Sequence, residues 1–118
     1  MSQTPVGTTI RAIDEQTSII AVQGSVTSAS EAVLMDAYVA AVGDRTRNIV
    51  LDFRELEYLN SSGIGLIVTL LVRANRQGQR LSAYGLTEHY RHIFELTRLN
   101  DAIAIHDAED AALMAASR

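Results

Sequence analysis

The sequence predicts one α/β domain, residues 1–118 with an ordered core over 7–116, built on a mainly parallel sheet that opens with an N-terminal β-hairpin in the order ββαβαβαβα. Three observations lead there. Short β-branched runs alternate with segments whose apolar residues recur every three or four positions, the pattern of strands joined by crossover helices. The first two runs are separated only by Asp14-Glu15-Gln16-Thr17, which has turn composition and is too short for a crossover. A chain of 118 residues, 47% hydrophobic and 20% charged, suits a single core that buries roughly two thirds of the unfolded surface.

The elements follow in order. Thr8 to Asp14 reads as a weak strand, and Ser18 to Gly24 as a second one stopped by glycine. Ser28-Ala29-Ser30-Glu31 has capping-box spacing, so a helix is predicted after it. Val33, Leu34, Ala37, Tyr38, Ala41 and Val42 give that helix one apolar stripe, and Gly43 ends it. Asn48 to Phe53 is a β-branched run read as a central strand buried on both faces. Ser61 to Gln77 is the next helix, stopped by Gly78, and Arg80 to Tyr84 is a strand ended by Gly85. Thr87 to Leu99 is predicted helical with Tyr90, Ile93, Phe94 and Leu96 inward. Ile103 to Ile105 is a last short strand, and Asp107 is positioned to cap a final alanine-rich helix reaching Ala116.

Composition removes several function classes. With no cysteine there is no disulfide framework, thiolate metal site or thiol nucleophile. His89, His92 and His106 are too scattered to suggest a metal centre. All ten cationic residues are arginine, which excludes a Schiff-base, P-loop or kinase lysine. The net charge of −4 argues against a nucleic-acid binder, because phosphate neutralisation needs clustered cations. The start, Met1-Ser2-Gln3-Thr4-Pro5, has no basic stretch leading into an apolar run, and the run Ile64 to Val72 is interrupted by Gly65 and Thr69. The expectation is therefore a cytoplasmic protein without membrane insertion.

The stretch from Leu56 to Leu66 carries most of the information. Asn60 is a good N-cap, and it leaves Ser61 and Ser62 in the first helical turn, where free amides and the helix dipole favour an anion such as phosphate. Gly63 and Gly65 each cost roughly 1 kcal/mol of helix stability relative to alanine, which implies that something approaches the backbone closely. Ile64, Ile67, Val68, Leu71 and Ala74 form the predicted inward stripe. Ser62, Gly65, Thr69, Arg73 and Arg76 share the opposite side, flanked by Leu66 and Leu70. That mixed side is a candidate docking surface, against the simpler reading that Leu66 and Leu70 pack under a neighbouring helix.

Enzyme readings of the same residues fail. Ser61-Ser62-Gly63 lacks the preceding glycine of a nucleophile elbow, and Gly63-Ile64-Gly65 has Val68 where a dinucleotide fingerprint needs its third glycine. Asp52 stands where a receiver domain carries its phosphoacceptor, but the acidic pair and lysine of such domains are missing. It reads as a capping or loop-bonding carboxylate. No catalytic residue, cofactor or metal ligand is assigned.

Taken in order, these segments resemble the STAS family, named for sulphate transporters and anti-sigma factor antagonists. The resemblance rests on Gly24, the strand Ile49 to Phe53, the turn Tyr58-Leu59-Asn60-Ser61-Ser62-Gly63-Ile64-Gly65-Leu66, Gly78, Tyr84-Gly85-Leu86 and Ile93-Phe94-Glu95-Leu96-Thr97-Arg98-Leu99. It implies a STAS-like mixed sheet of four or five strands with helices packed on one face.

For stand-alone members, the resemblance further implies an anti-sigma factor antagonist of bacterial transcription. Such a protein docks on an anti-sigma factor that is itself a serine kinase, is released by phosphorylation, and is restored by a PP2C-type phosphatase. The matching acceptor is Ser61, with Ser62 the lesser candidate. The implied contact residues are Asn60, Ser61, Ser62, Gly63, Gly65, Leu66, Thr69 and Arg73. The chain departs from the family in two places. The aspartate that precedes the serine is Asn60 here, and Ser25-Val26-Thr27-Ser28 replaces a loop that carries aspartates in many members. Asn60 favours a second reading, a scaffold or transporter-associated subunit that binds without phosphorylation.

Overall fold

A computed structural model describes residues 4–117, so the predicted domain limits at 1 and 118 lie outside the described residues. The strands are β1 (Gly7–Ala12), β2 (Thr17–Val26), β3 (Asn48–Asp52), β4 (Leu56–Leu59), β5 (Arg80–Tyr84) and β6 (Ala104–His106). The helices are α1 (Glu31–Ala41), α2 (Ser61–Arg76), α3 (Glu88–Leu96) and α4 (Glu109–Ala116), with 3₁₀ turns at Ser28–Ser30 and Leu99–Asp101. The sheet runs β1-β2-β3-β5-β6. The β1/β2 hairpin is antiparallel and every other pairing is parallel.

One element was not anticipated. Leu56–Leu59 forms β4, which pairs in parallel with the far end of β2 across an irregularity at Gly24/Ser25. Leu-Glu-Tyr-Leu has buried ends and an exposed middle, so it shows no period-two alternation to read. Among the described residues the sheet accordingly has six strands rather than four or five.

Strand alternation divides the core. Ile20, Val22, Ile49, Leu51, Leu81 and Ala83 face a large cluster with Leu34, Tyr38, Ile67, Leu71 and Phe94 from α1, α2 and α3. Ile19, Val50 and Tyr84 face the other way, onto Ala112 and Leu113 of α4. The expectation of helices on one face thus holds for α1 to α3, while α4 covers part of the second face. The reason is legible afterwards: Val50 and Ile19 are as fully buried as their neighbours, and only a second layer can do that.

Local chemistry moved several predicted boundaries. The capping box sits one residue earlier: Thr27 Oγ1 accepts from Ala29 N, and Ser30 Oγ rather than Glu31 returns the bond by accepting from Thr27 N. Leu96, expected inside, is 69% exposed. The chain leaves α3 at Thr97 and turns through Arg98 at φ 62°, so Leu99 is the residue that returns to the core. Asp107 does not cap α4, whose N-cap is Ala108; its carboxylate instead accepts from the Arg91 guanidinium.

Candidate functional site

The start of α2 is held from three directions. β4 anchors the preceding chain to β2, and Asn60 N donates to Val26 O at 3.4 Å. Leu59 N donates to the Tyr90 hydroxyl at 3.1 Å, tying β4 to α3. Asn60 adopts extended geometry (φ −101°, ψ −177°), and its Oδ1 accepts from Gly63 N at 2.9 Å, which makes it the predicted N-cap. Ile64 N bonds Asn60 O, while no described residue bonds the backbone N–H of Ser61 or Ser62. Both serines are exposed in this first turn. The turn therefore offers two hydroxyls, two open amides and the positive end of a 16-residue helix.

The two glycines have different causes. A Cβ at Gly63 would overlap Val26 O and lie 2.7 Å from Leu59 Cδ1, so the close approach inferred from sequence is that of β2 against the helix. A Cβ at Gly65 would meet nothing within 4 Å, and this residue is exposed.

The buried stripe of α2 is Gly63, Leu66, Ile67, Leu70, Leu71 and Ala74. It is turned from the predicted one. Leu66 and Leu70 pack inward beneath the neighbouring elements, whereas Val68 and Val72 face outward at 37% and 41% exposure. Leu66 and Gly63 therefore serve packing and present no side-chain surface. The outward face carries Ser61, Ser62, Gly65, Val68, Thr69 and Val72. Arg73 is half-buried, with its guanidinium 4.9 Å from the centre of the Tyr38 ring and 3.5 Å from Met35 Sδ on α1. The structure brings Asn60, Ser61, Ser62, Gly65 and Thr69 onto one accessible end and places Arg73 at its margin against α1.

Asp52 is a loop-bonding carboxylate, as its position suggested. Oδ1 accepts from Arg54 N at 3.0 Å, and the Arg54 guanidinium reaches Oδ2 at 2.8 Å. Burial would raise this carboxyl, but the Arg54 bonds outweigh it and hold its pKa below the ordinary value. Arg54 lies over the Tyr84 ring, and the Tyr84 hydroxyl donates to Glu109 Oε1 at 3.0 Å. Arg11 of β1 closes the chain by pairing with Glu109, whose carboxyl is lowered mainly by that bond. Burial and the bond to Glu109 push the Tyr84 hydroxyl well up. This five-residue network pins α4 across β1, β3 and β5. Sequence reading missed it because its members are separated by up to 98 positions and no local pattern links Arg11 to Glu109.

Fold and site together define a small α/β domain with an open helix end, and comparison with known families makes the class explicit. The model described as "Mlab, STAS domain" matches residues 10–107, so the chain belongs to the STAS family. Among curated relatives, an anti-sigma-B factor antagonist of Staphylococcus aureus (strain NCTC 8325 / PS 47) is 28% identical over 67 residues, covering 57% of this chain. The match spans 62% of that relative's length. The fold resembles the crystal structure of an anti-sigma factor antagonist from Mycobacterium paratuberculosis with a TM-score of 0.81 at 21% identity, covering 96% of this chain and 95% of that one. It also resembles the Bacillus cell fate determinant SpoIIAA in its phosphorylated form, with a TM-score of 0.63 at 17% identity over 89% and 96% of the two chains. Among the described residues no helix is long and apolar enough to cross a membrane.

Proposed function

We propose that this protein is an anti-sigma factor antagonist that docks through the outward face of α2 and is released when Ser61 is phosphorylated. The observation that carries the reading is the open first turn of α2. Ser61 is exposed on an asparagine-capped helix end whose own amides are free to meet an anion. The name of the Staphylococcus relative supports the antagonist role. The partner is an anti-sigma factor with serine kinase activity, and a PP2C-type phosphatase resets the cycle. A phosphate adds about −1.5 to −2 charges to the patch, enough to oppose docking by repulsion and desolvation while the helix end tolerates it.

The contact surface in this reading is Asn60, Ser61, Ser62, Gly65 and Thr69, joined by Val68 and Val72 and bordered by Arg73. Incubation with a cognate anti-sigma kinase and ATP, followed by phosphopeptide mapping, tests it. Modification at Ser61 that disappears in Ser61→Ala, with Ser61→Ala binding whether or not ATP is present, is the expected result. Absence of both modification and binding would remove the proposal.

Asn60 favours one alternative, a STAS scaffold or transporter-associated subunit. The amide keeps the cap bond to Gly63 but brings no carboxylate to assist a kinase or phosphate transfer. Co-purification in an assembly of fixed composition that ignores ATP would select this reading.

A further inference from the structure

The C-terminal half of α4 does not seal against the sheet. Beneath it lies a cavity of about 150 Å³, walled by Ala112 and Ala115 on the helix and by Ser82 and His106 on the strands. Beside it, sharing Arg80, lies a second recess of about 280 Å³ lined by Gln16, Arg47 and Asn48. Asn48, Arg80 and Ala116 border both spaces, so the two adjoin. They sit at the starts of β3 and β5, at the opposite end of the strands from Ser61.

The polar groups here are only partly used. Asn48 is 8% exposed, and its Nδ2 donates to Ala116 O at 3.2 Å and to Thr17 Oγ1 at 3.4 Å, while its Oδ1 accepts from no described residue. Ser82 Oγ makes no hydrogen bond with a described residue, and His106 Nε2 is buried with no partner among the described residues. At the mouth, Arg47 and Arg80 are joined through their backbones (Arg80 N to Arg47 O, 2.7 Å), and neither guanidinium is paired with a described acid. The carbonyl of Ala116, which would bring the negative end of α4 to this mouth, is covered by the Asn48 amide.

Two complementary features therefore meet. A half-open cleft of about 150 Å³ has room for a single six-membered ring, and Leu81, Ala102, Ala104, Ala112 and Ala115 give it an apolar side beside the polar Asn48, Ser82 and His106. The mouth holds two arginines that no described acid pairs, suited to carboxylate or phosphate. We propose that this cavity binds a small ring compound carrying one anionic substituent, the ring under α4 within reach of Ser82 and Asn48 and the anion at Arg80 and Arg47. The site is independent of the docking face of α2.

The test is titration of the full chain with three probes, followed by amide chemical shifts. The probes are benzoate, benzyl alcohol as a neutral ring, and inorganic phosphate as an anion without a ring. Benzoate is expected to give saturable shifts centred on Ser82, Ala104, Ala112 and Ala115, with the other two probes at least about tenfold weaker, the worth of one charge-assisted hydrogen bond. Arg80→Gln, a change at an exposed side chain, lowers benzoate affinity about tenfold and leaves benzyl alcohol within about twofold. Ala115→Leu fills the chamber and abolishes ring binding while the protein stays folded. If benzoate produces no saturable shifts, if Arg80→Gln leaves its affinity unchanged, or if the folded Ala115→Leu variant still binds it, the proposal is overturned.

Discussion

Replacing Gly65 by alanine raises the melting temperature, whereas the same change at Gly63 lowers it. At both positions alanine gains about 1 kcal/mol of helix propensity over glycine. At position 65 nothing lies within 4 Å of the new methyl group, so the whole gain is realised, equivalent to a rise of roughly 4 °C for a domain of this size. At position 63 the methyl group meets Val26 O and Leu59 Cδ1. Val26 and Leu59 are register partners in the β2/β4 pairing, so that oxygen cannot withdraw without disturbing the strand that anchors the helix. Overpacking of this kind costs about 1–3 kcal/mol, which cancels or exceeds the propensity gain. Thermal unfolding followed by circular dichroism reads both signs directly. A Gly63→Ala protein more stable than the parent, or a Gly65→Ala protein less stable, would refute the geometric account of why this helix keeps two glycines. The second variant also probes function: if a partner's surface uses the gap at Gly65, Gly65→Ala binds more weakly although it is more stable.

Three further outcomes follow from named contacts. Asn60→Ala loses the bond to Gly63 N and costs about 1 kcal/mol in urea unfolding, whereas Asn60→Asp retains it. Tyr38→Phe strands Gln79 Oε1, which accepts from the Tyr38 hydroxyl at 2.6 Å in a site where Gln79 is 5% exposed, and costs about 1–3 kcal/mol by the same measurement. The folded pKa values of Asp52 and Glu109 lie below their ordinary 3.8 and 4.5, so their contribution to stability is fully present above those values and is lost as pH falls through the lower folded ones. Urea midpoints measured from neutral down to about pH 3 should therefore fall on the acid side, and Glu109→Gln should flatten part of that fall.

Much of the fold is local and could be read directly. The β1/β2 turn, the central strand Asn48–Asp52, the start of α2 and β5 each announce themselves through turn residues, β-branched runs or a cap. Tertiary context decided what failed. β4 exists because β2 continues past Gly24 and offers an edge to pair with, which no property of Leu-Glu-Tyr-Leu signals. The orientation of α2 was misjudged because ten apolar or small residues between Gly63 and Ala74 support more than one inward stripe. Contact with α1 and the sheet selected Leu66 and Leu70 over Val68. Asn60 and the two serines were legible because a cap is a property of adjacent residues; the network joining Arg11, Glu109 and Tyr84 was not, because it is a property of the fold.

Under the proposed function, a phosphate at Ser61 would act differently on the fold and on docking, and Ser61→Asp tests that separation. An anion in the first turn of a helix is stabilising by about 0.3–1 kcal/mol when exposed. Here the cap is neutral, so the new charge meets no carboxylate at residue 60, and the N–H groups of Ser61 and Ser62 are free among the described residues to receive it. The same charge pressed into a protein interface loses its water, a cost of several kcal/mol unless a cation meets it. The fold should therefore gain slightly or stay level while the complex weakens strongly. A Ser61→Asp protein with an unchanged or higher melting temperature and at least about tenfold weaker partner binding fits this asymmetry. A variant that melts early would mean that the anion disrupts the helix rather than the interface.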